Sequence, residues 1–389
     1  MADASAAGIM NRFAERTGIT SPEPQRRYLW TDAFAVCNFL GLERRGDDPE
    51  GEAKALTLID LVHHTLGRHR ENDERQGWIS GLTGDEAEAH PTAGGLRIGK
   101  PLPERAVEER ADPRLEWDQD GQYFHYLTRW MHALDQTAWR TGDATCNRWA
   151  RELAAVAFRA FSYRSSAIAA RRMVWKMSID LSRPLVPSMG HHDPLDGYIT
   201  CLQLRATARA LSPGTELAHT EPENTLVHET RELRAMVRGG DWATDDPLGL
   251  GSLMTDAYRL FQIERAGAAV PEELLNALHS GIRIGLDHLK QQNAWDLPAD
   301  RRLPFRELGL VIGIRALERL AANAPVDDGR GRPDELRSLG AQRPLADRLI
   351  EFWLHPRHQQ ATTWAGHQDI NDVMLATALA PEGYVELRD

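Results

Sequence analysis

The chain has 389 residues, of which 42% are hydrophobic and 26% charged, and a formal net charge of −11. That length exceeds one ordinary compact core, so two domains or one repetitive architecture is expected, and the acidic balance excludes a nucleic-acid backbone or an anionic membrane surface as the main partner. The first sixteen residues carry Asp3, Asn11 and Glu15 with no apolar h-region, and no stretch approaches about 18 consecutive apolar residues, so the sequence reads as a cytoplasmic protein without a secretory signal or a membrane span.

Beyond a polar start that stops at Pro22-Glu23-Pro24, helical periodicity dominates; residues 1–24 read as an N-terminal extension and 25–389 as one domain. Leu29, Ala33, Val36 and Leu40 form one apolar stripe, and Trp30, Phe34, Cys37 and Gly41 a neighbouring one. Two adjacent stripes mean a helix buried over most of its girth. After Gly46-Asp47, a helix near 53–68 is amphipathic, with Leu58, Leu61, Val62 and Leu66 on one side. The alternation then repeats. Residues 121–140 are apolar around Tyr123, Leu127, Trp130, Met131 and Leu134, and the helix after Gly142-Asp143 opposes Leu153, Val156 and Phe161 to Arg148, Arg151 and Arg159. Further pairs are predicted near 195–211 with 222–237, 248–265 with 271–291, and 304–322 with 343–354, and a last helix near 368–379. Cys37, Cys146 and Cys201 lie far apart within these patterns and read as buried thiols.

About eleven helices that alternate between enclosed and amphipathic suit a ring, in which inner helices are covered and outer helices show one face to water. An open solenoid of helix pairs is the competing arrangement. The predicted fold class is therefore all-α, an (α/α)6-type toroid of antiparallel hairpins with long loops and a short β-element on one rim. The long connections are 70–117 and 163–193. In the second, Trp175, Met177, Ile179 and Leu181 alternate with Lys176, Ser178, Asp180 and Ser182, which predicts a strand with Lys176 and Asp180 on one face.

Connections from outer to inner helices would emerge on one rim, and their polar residues are the candidate site: Trp30 and Asp32; Trp78, Arg97, Lys100, Asp118, His125 and Tyr126; Lys176, Asp180, His191, His192, Asp193 and Asp196; and His367. The run His191-His192-Asp193-Pro194-Leu195-Asp196 is the densest. Asp193 and Asp196 suit helix-start duty, but adjacent histidines beside carboxylates also suit proton transfer near neutral pH. Asp118 and Asp120 share that dual character. Cleavage of a glycosidic bond needs two carboxyl groups roughly 5–9.5 Å apart with aromatic faces for the sugar, and Asp118 with Asp193 or Asp196, flanked by Trp30, Trp78 and Tyr126, would supply them. Gly94–Lys100 follows the spacing of a phosphate loop, yet Pro101 replaces the required Ser or Thr and Leu102-Pro103 forbids the following helix, so a nucleotide site is rejected and Arg97 and Lys100 are left to meet substrate oxygens. Asp47-Asp48 and Asp245-Asp246 read as helix starts rather than diphosphate ligands. No His pair stands at metal-ligand spacing around His191 and His192, so no metal or cofactor is expected.

The repeated helix pairs, with aromatic and acidic inner-helix starts at Trp30–Asp32 and Asp118–Tyr123, resemble the six-hairpin glycosidase-like superfamily of (α/α)6 toroids. The blocks Gly94–Arg105, Tyr123–Leu134 and Lys176–Thr200 also resemble a bacterial family within it to which no activity attaches. The resemblance implies a carbohydrate-active enzyme. A glycoside hydrolase with a carboxylate pair in a central cleft is the first expectation; a sugar isomerase or epimerase using His191, His192 and His367, or a non-catalytic helical array, is the alternative. A small sugar-like substrate is the implied partner.

Overall fold

The computed structural model describes residues 4–164, 171–211, 226–291, 294–323 and 341–388. Its fold class is the expected one: all-α, built of antiparallel helical hairpins with long loops and a few short strands. The helices are α1 (Ala6–Arg16), α2 (Leu29–Arg45), α3 (Gly51–Leu66), α4 (Gly84–Ala89), α5 (Phe124–Thr141), α6 (Ala144–Phe161), α7 (Asp193–Leu211), α8 (Val227–Val237), α9 (Pro247–Arg265), α10 (Glu272–Gln291), α11 (Pro304–Asn323), α12 (Arg343–Leu354), α13 (Thr362–Ala365), α14 (Gln368–Leu379) and α15 (Glu382–Val385). Residues 222–225, where an outer helix was expected to begin, lie outside the described residues. Among the described residues no helix is long and apolar enough to cross a membrane.

The chain divides into two compact units: Thr17–Leu40 with Glu52–Arg238, and Met1–Arg16 with Gly41–Gly51 and Gly239–Asp389. In the first unit α5 packs on α6 and α7, α6 on α7, and α7 on α8. The predicted alternation is realised here. From Leu127 to Ala138 every residue of α5 is buried, whereas α6 keeps a polar face. Gly142 closes α5 in the left-handed region (φ 72°), donating its N–H to the Ala138 carbonyl, and Asp143 then caps α6 by accepting the Thr145 N–H at 2.9 Å.

The β-element also belongs to this unit. Strands β1 (Gln122–Tyr123), β4 (Lys176–Met177) and β5 (Pro184–Val186) form an antiparallel sheet in the order β1-β4-β5, with Tyr123 opposite Lys176 and Lys176 opposite Val186. A separate hairpin joins β2 (Ser162–Arg164) to β3 (Arg171–Met173). The expected strand over 175–181 is thus cut short. Ser178–Leu181 closes a turn, with the Leu181 N–H on the Ser178 carbonyl and Leu181 at φ 59°, so Lys176 and Asp180 do not share a strand face. Lys176 is fully buried and Asp180 lies exposed on the turn. Period-2 alternation overlooked the Ser178, Asp180 and Ser182 side chains, whose hydrogen bonds to one another favour the turn.

Gly94–Lys100 forms no phosphate loop. It leaves a turn at Gly94 and bends at Gly95 (φ 75°) and Gly99 (φ 91°) with no helix after it, and Gln122 latches it to the sheet by accepting the Leu96 N–H at 2.9 Å and donating to the Gly94 and Ile179 carbonyls.

In the second unit α11 packs on α9, α12 and α14, with α10 outside α9 and α1 lying along α14. Arg16 ties α1 down through Asp369 and Asp372, each at 2.8 Å. Helices α9 and α11 approach backbone to backbone: a Cβ on Gly251 would lie 2.1 Å from the Gly309 carbonyl oxygen, and one on Gly313 would lie 2.4 Å from that of Gly251. Asp246 starts α9 as a cap, accepting the Gly249 N–H at 2.8 Å, with Pro247 in the first turn, as its sequence position suggests. The three cysteines are buried and form no disulfide; burial pushes the Cys146 thiol up to about 12, far from a reactive thiolate.

Candidate active site

In the first unit two inner helices face each other along a polar seam. On α5, His125, Arg129, His132 and Asp135 recur every three or four residues and so share one side of the helix. On α7, Asp193, Asp196, Thr200, Gln203 and Thr207 do the same. The two rows meet rung by rung. His125 Nδ1 lies 3.7 Å from Asp193 Oδ1, and Arg129 Nη2 donates to both Asp196 oxygens at 3.2 Å. His132 bonds Gln203 at 3.1 Å, and the Asp135 carboxylate accepts from Asn147 of α6 at 2.7 Å, Gln203 at 2.8 Å and Thr207 at 3.0 Å.

At the N-terminal end of the seam the pairing is incomplete. Asp193 is 4% exposed, yet its Oδ2 and the His125 Nδ1 have no hydrogen-bond partner among the described residues. Burial, with the Asp196 charge one turn away, pushes the Asp193 carboxyl up to about 8; the Gly190 main chain and Arg129 pull the other way. Burial takes His125 down to about 4, Asp196 opposing and Arg129 assisting. At neutral pH the 3.7 Å contact therefore joins a protonated carboxyl to an uncharged imidazole, and it is not an ion pair. Gly190 is needed beneath the carboxyl, because a Cβ there would lie 2.4 Å from Asp193 Oδ2. Asp193 opens α7 without capping it.

Aromatic rings surround this end. His125 stacks with Trp175 (6.0 Å between centroids, 11° between planes) and with Tyr123 (5.3 Å, 30°), and meets Tyr126 edge-on at 4.9 Å. Trp30 closes on Tyr126 at 5.3 Å and lies beneath the Arg129 guanidinium at 5.7 Å. Tyr28 joins through a 2.6 Å contact between its hydroxyl and that of Tyr126. Trp117, 54% exposed, packs edge-on against Trp175 at 5.3 Å and extends the aromatic surface to solvent. The β1–β4 pairing holds Tyr123 and Trp175 side by side; Trp175 directly precedes β4.

A basic lip adjoins the rings. Asp120 is fully buried and shared by Arg97 at 3.0 Å and Arg70 at 3.3 Å, while also accepting the Gly99 and Lys100 N–H groups. Glu116 is shared by Arg105 at 2.5 Å and by the buried Lys176 ammonium at 3.2 Å; Lys176 also donates to the Glu116 and Gln119 carbonyls. Lys176 Nζ lies 5.5 Å from the centre of the Tyr123 ring and Lys100 Nζ 5.4 Å from that of Tyr28.

Of the residues singled out in the sequence, Trp30, His125, Tyr126, Asp193 and Asp196 come together at the head of the seam, and Lys100, Lys176 and Arg97 line the lip. Arg97 is engaged with Asp120 and with the Thr65 and Arg68 carbonyls. Asp32 reaches back to the Tyr28 N–H at 3.0 Å, satisfying a main-chain donor at the start of α2, and lies 3.6 Å from Arg27. Asp118 is exposed at the end of a single 3-10 turn, and its carbonyl accepts the Leu102 N–H. His191 is exposed and makes a tilted ring contact with His192 at 4.7 Å, just before Asp193. Trp78 is buried against His64 and Arg68. Asp180 receives Ser178, Ser182 and Arg75. His367 is exposed at the start of α14, in the other unit. Arg129 and Trp175 were overlooked as site residues. Arg129 follows His125 by four positions, so the periodicity that found the apolar stripes would also have found it. Among the described residues no three His, Cys, Asp or Glu side chains converge as a metal site.

No family model matches the chain, and no curated protein does. Among solved structures, the cellobiose 2-epimerase from Spirochaeta thermophila DSM 6192 superposes with a TM-score of 0.46 and 12% identity, over 95% of this chain and 97% of that one. At that distance neither an activity nor a residue role passes from one chain to the other.

Proposed function

We propose that the protein is a carbohydrate-active enzyme whose proton donor is Asp193. One observation carries this reading: a carboxyl that stays protonated up to about pH 8, beside an uncharged imidazole and among partly exposed aromatic rings. Aromatic faces suit the apolar faces of sugar rings, and an acid protonated at neutral pH is what a departing glycosidic oxygen requires. The first specific reading is a glycoside hydrolase with Asp193 as acid and Asp118 or Asp196 as the second carboxyl; His191 and His192 stand at the entrance to the Asp193 turn. The domain reading that accompanies it is a closed toroid over residues 25–389 with an extension at 1–24.

The His125–Asp193 contact favours a second reading, a sugar isomerase or epimerase. There His125 accepts a proton from a carbon beside a carbonyl while Asp193 gives one to the carbonyl oxygen. A single experiment separates the two. Mono- and disaccharides are incubated with the protein in deuterium oxide and followed by NMR. New reducing ends without deuterium at carbon identify hydrolysis, and deuterium at a sugar carbon without bond cleavage identifies isomerisation. Neither signal from any sugar, with Asp193→Asn behaving as the parent, would remove the enzymatic reading altogether.

A further inference from the structure

The five cations of the lip are unevenly served. Asp120 is shared by Arg70 and Arg97, Glu116 by Arg105 and Lys176, and Lys100 has no carboxylate partner among the described residues. Five positive charges thus stand against the two carboxylates that pair with them and the exposed Asp118 nearby, in a chain whose net charge is −11. A neighbouring acidic group, Asp73, Glu104 and Asp180, is drawn onto Arg75. The positive side is the one that meets the aromatic surface, through Lys100 on Tyr28 and Lys176 on Tyr123. Lys176 is immobilised, with its three donors on one carboxylate oxygen and two carbonyls. Lys100 is half-buried along its stem and keeps its ammonium for a ligand.

We propose that the aromatic site takes an anionic sugar, one bearing a carboxylate or a phosphate, and that Lys100 is the residue that selects it. The proposal rests on the carbohydrate reading above and adds a substrate class to it. The field of the lip raises the local concentration of such an anion, and the Lys100 ammonium, seated on Tyr28 beside the Tyr126 hydroxyl, pairs with its charge while the sugar ring lies on the aromatic faces.

The test is binding of glucose, glucuronate and glucose 6-phosphate to the full chain, read by tryptophan fluorescence from Trp117 and Trp175 at low and at 0.5 M salt. At least one anion is expected to bind about tenfold more tightly than glucose, equivalent to about 1.4 kcal/mol, and the gap is expected to narrow in high salt. The two anion arms distinguish a carboxylate from a phosphate as the preferred group. Lys100→Glu is expected to bring the anion's affinity down to that of glucose, and Lys100→Gln to bring it part of the way. Equal binding of all three sugars, or an anion preference untouched by Lys100→Glu, overturns the proposal and leaves the sugar site standing. If none of the three binds, the carbohydrate reading fails, and the substrate class fails with it.

Discussion

The seam between α5 and α7 holds two buried carboxyl groups in opposite circumstances. Asp135, 2% exposed, receives three hydrogen bonds from Asn147, Gln203 and Thr207, at 2.7–3.0 Å. Asp193, three rungs up, is 4% exposed and faces an imidazole at 3.7 Å, with one of its oxygens bonded to nothing among the described residues. A satisfied buried network rigidifies the helices that carry it. A buried carboxyl with one oxygen left unpartnered is costly to keep, and such groups cluster where a proton is transferred. The same two helices therefore carry a satisfied brace at one end and, at the other, the incompletely paired carboxyl proposed as the proton donor.

The largest effect that would break this contrast is at Asp193. Asp193→Asn is expected to lower turnover by roughly 10²–10⁴-fold, the usual worth of a general acid, without loss of folding. Its stability signature has a definite sign. The native carboxyl holds its proton to about pH 8 and the ordinary value is 3.8, so wild-type stability falls as pH rises through that interval. Thermal unfolding of wild type and Asp193→Asn is expected to diverge in favour of the variant between pH 4 and pH 8; a constant gap would refute the raised carboxyl. Asp135→Ala sets the converse case. It strands three donors and is expected to cost about 3 kcal/mol in urea unfolding while leaving activity per folded molecule intact.

Finer effects sharpen the comparison. Activity is expected to fall above about pH 8 as Asp193 ionises and below about pH 4 as His125 charges. Asp196→Asn removes the like charge that raises Asp193, so the alkaline limb is expected to move down by about one pH unit, measured as the pH profile of kcat/KM. The smallest effect is expected from Asp118→Asn, less than about tenfold if Asp193 with His125 carries the proton transfer. A loss matching that of Asp193→Asn would instead make the two carboxyls partners across a glycosidic bond.

Most of the helices were legible because burial repeats every three to four residues, and the alternation of enclosed and amphipathic helices is already in the stripes at Leu29–Leu40 and Leu153–Phe161. The head of the site was half legible. His125, Tyr126, Asp193 and Asp196 carry types and positions that chemistry would choose, and Trp30 stands at an inner-helix start. What escaped was the partnering. Nothing local to residues 116–120 says that Glu116 and Asp120 are each consumed by two cations supplied from sequence positions 70, 97, 105 and 176. Nor does period-2 alternation reveal that Ser178 and Ser182 fold back on Asp180 and end the strand. Both are long-range or turn-specific choices that patterns of hydrophobicity do not encode.

The contact of α9 and α11 leaves no room for a methyl group at Gly251 or Gly313, where a Cβ would run into the facing backbone. Helices usually tolerate drift because side chains cushion them; here carbonyl rests against α-carbon, and the spacing is fixed as if by a pin. Natural variation on this pair should be confined to its outward positions, and an engineered alanine at Gly251 or Gly313 would have to separate the two rods along their length before it could be housed.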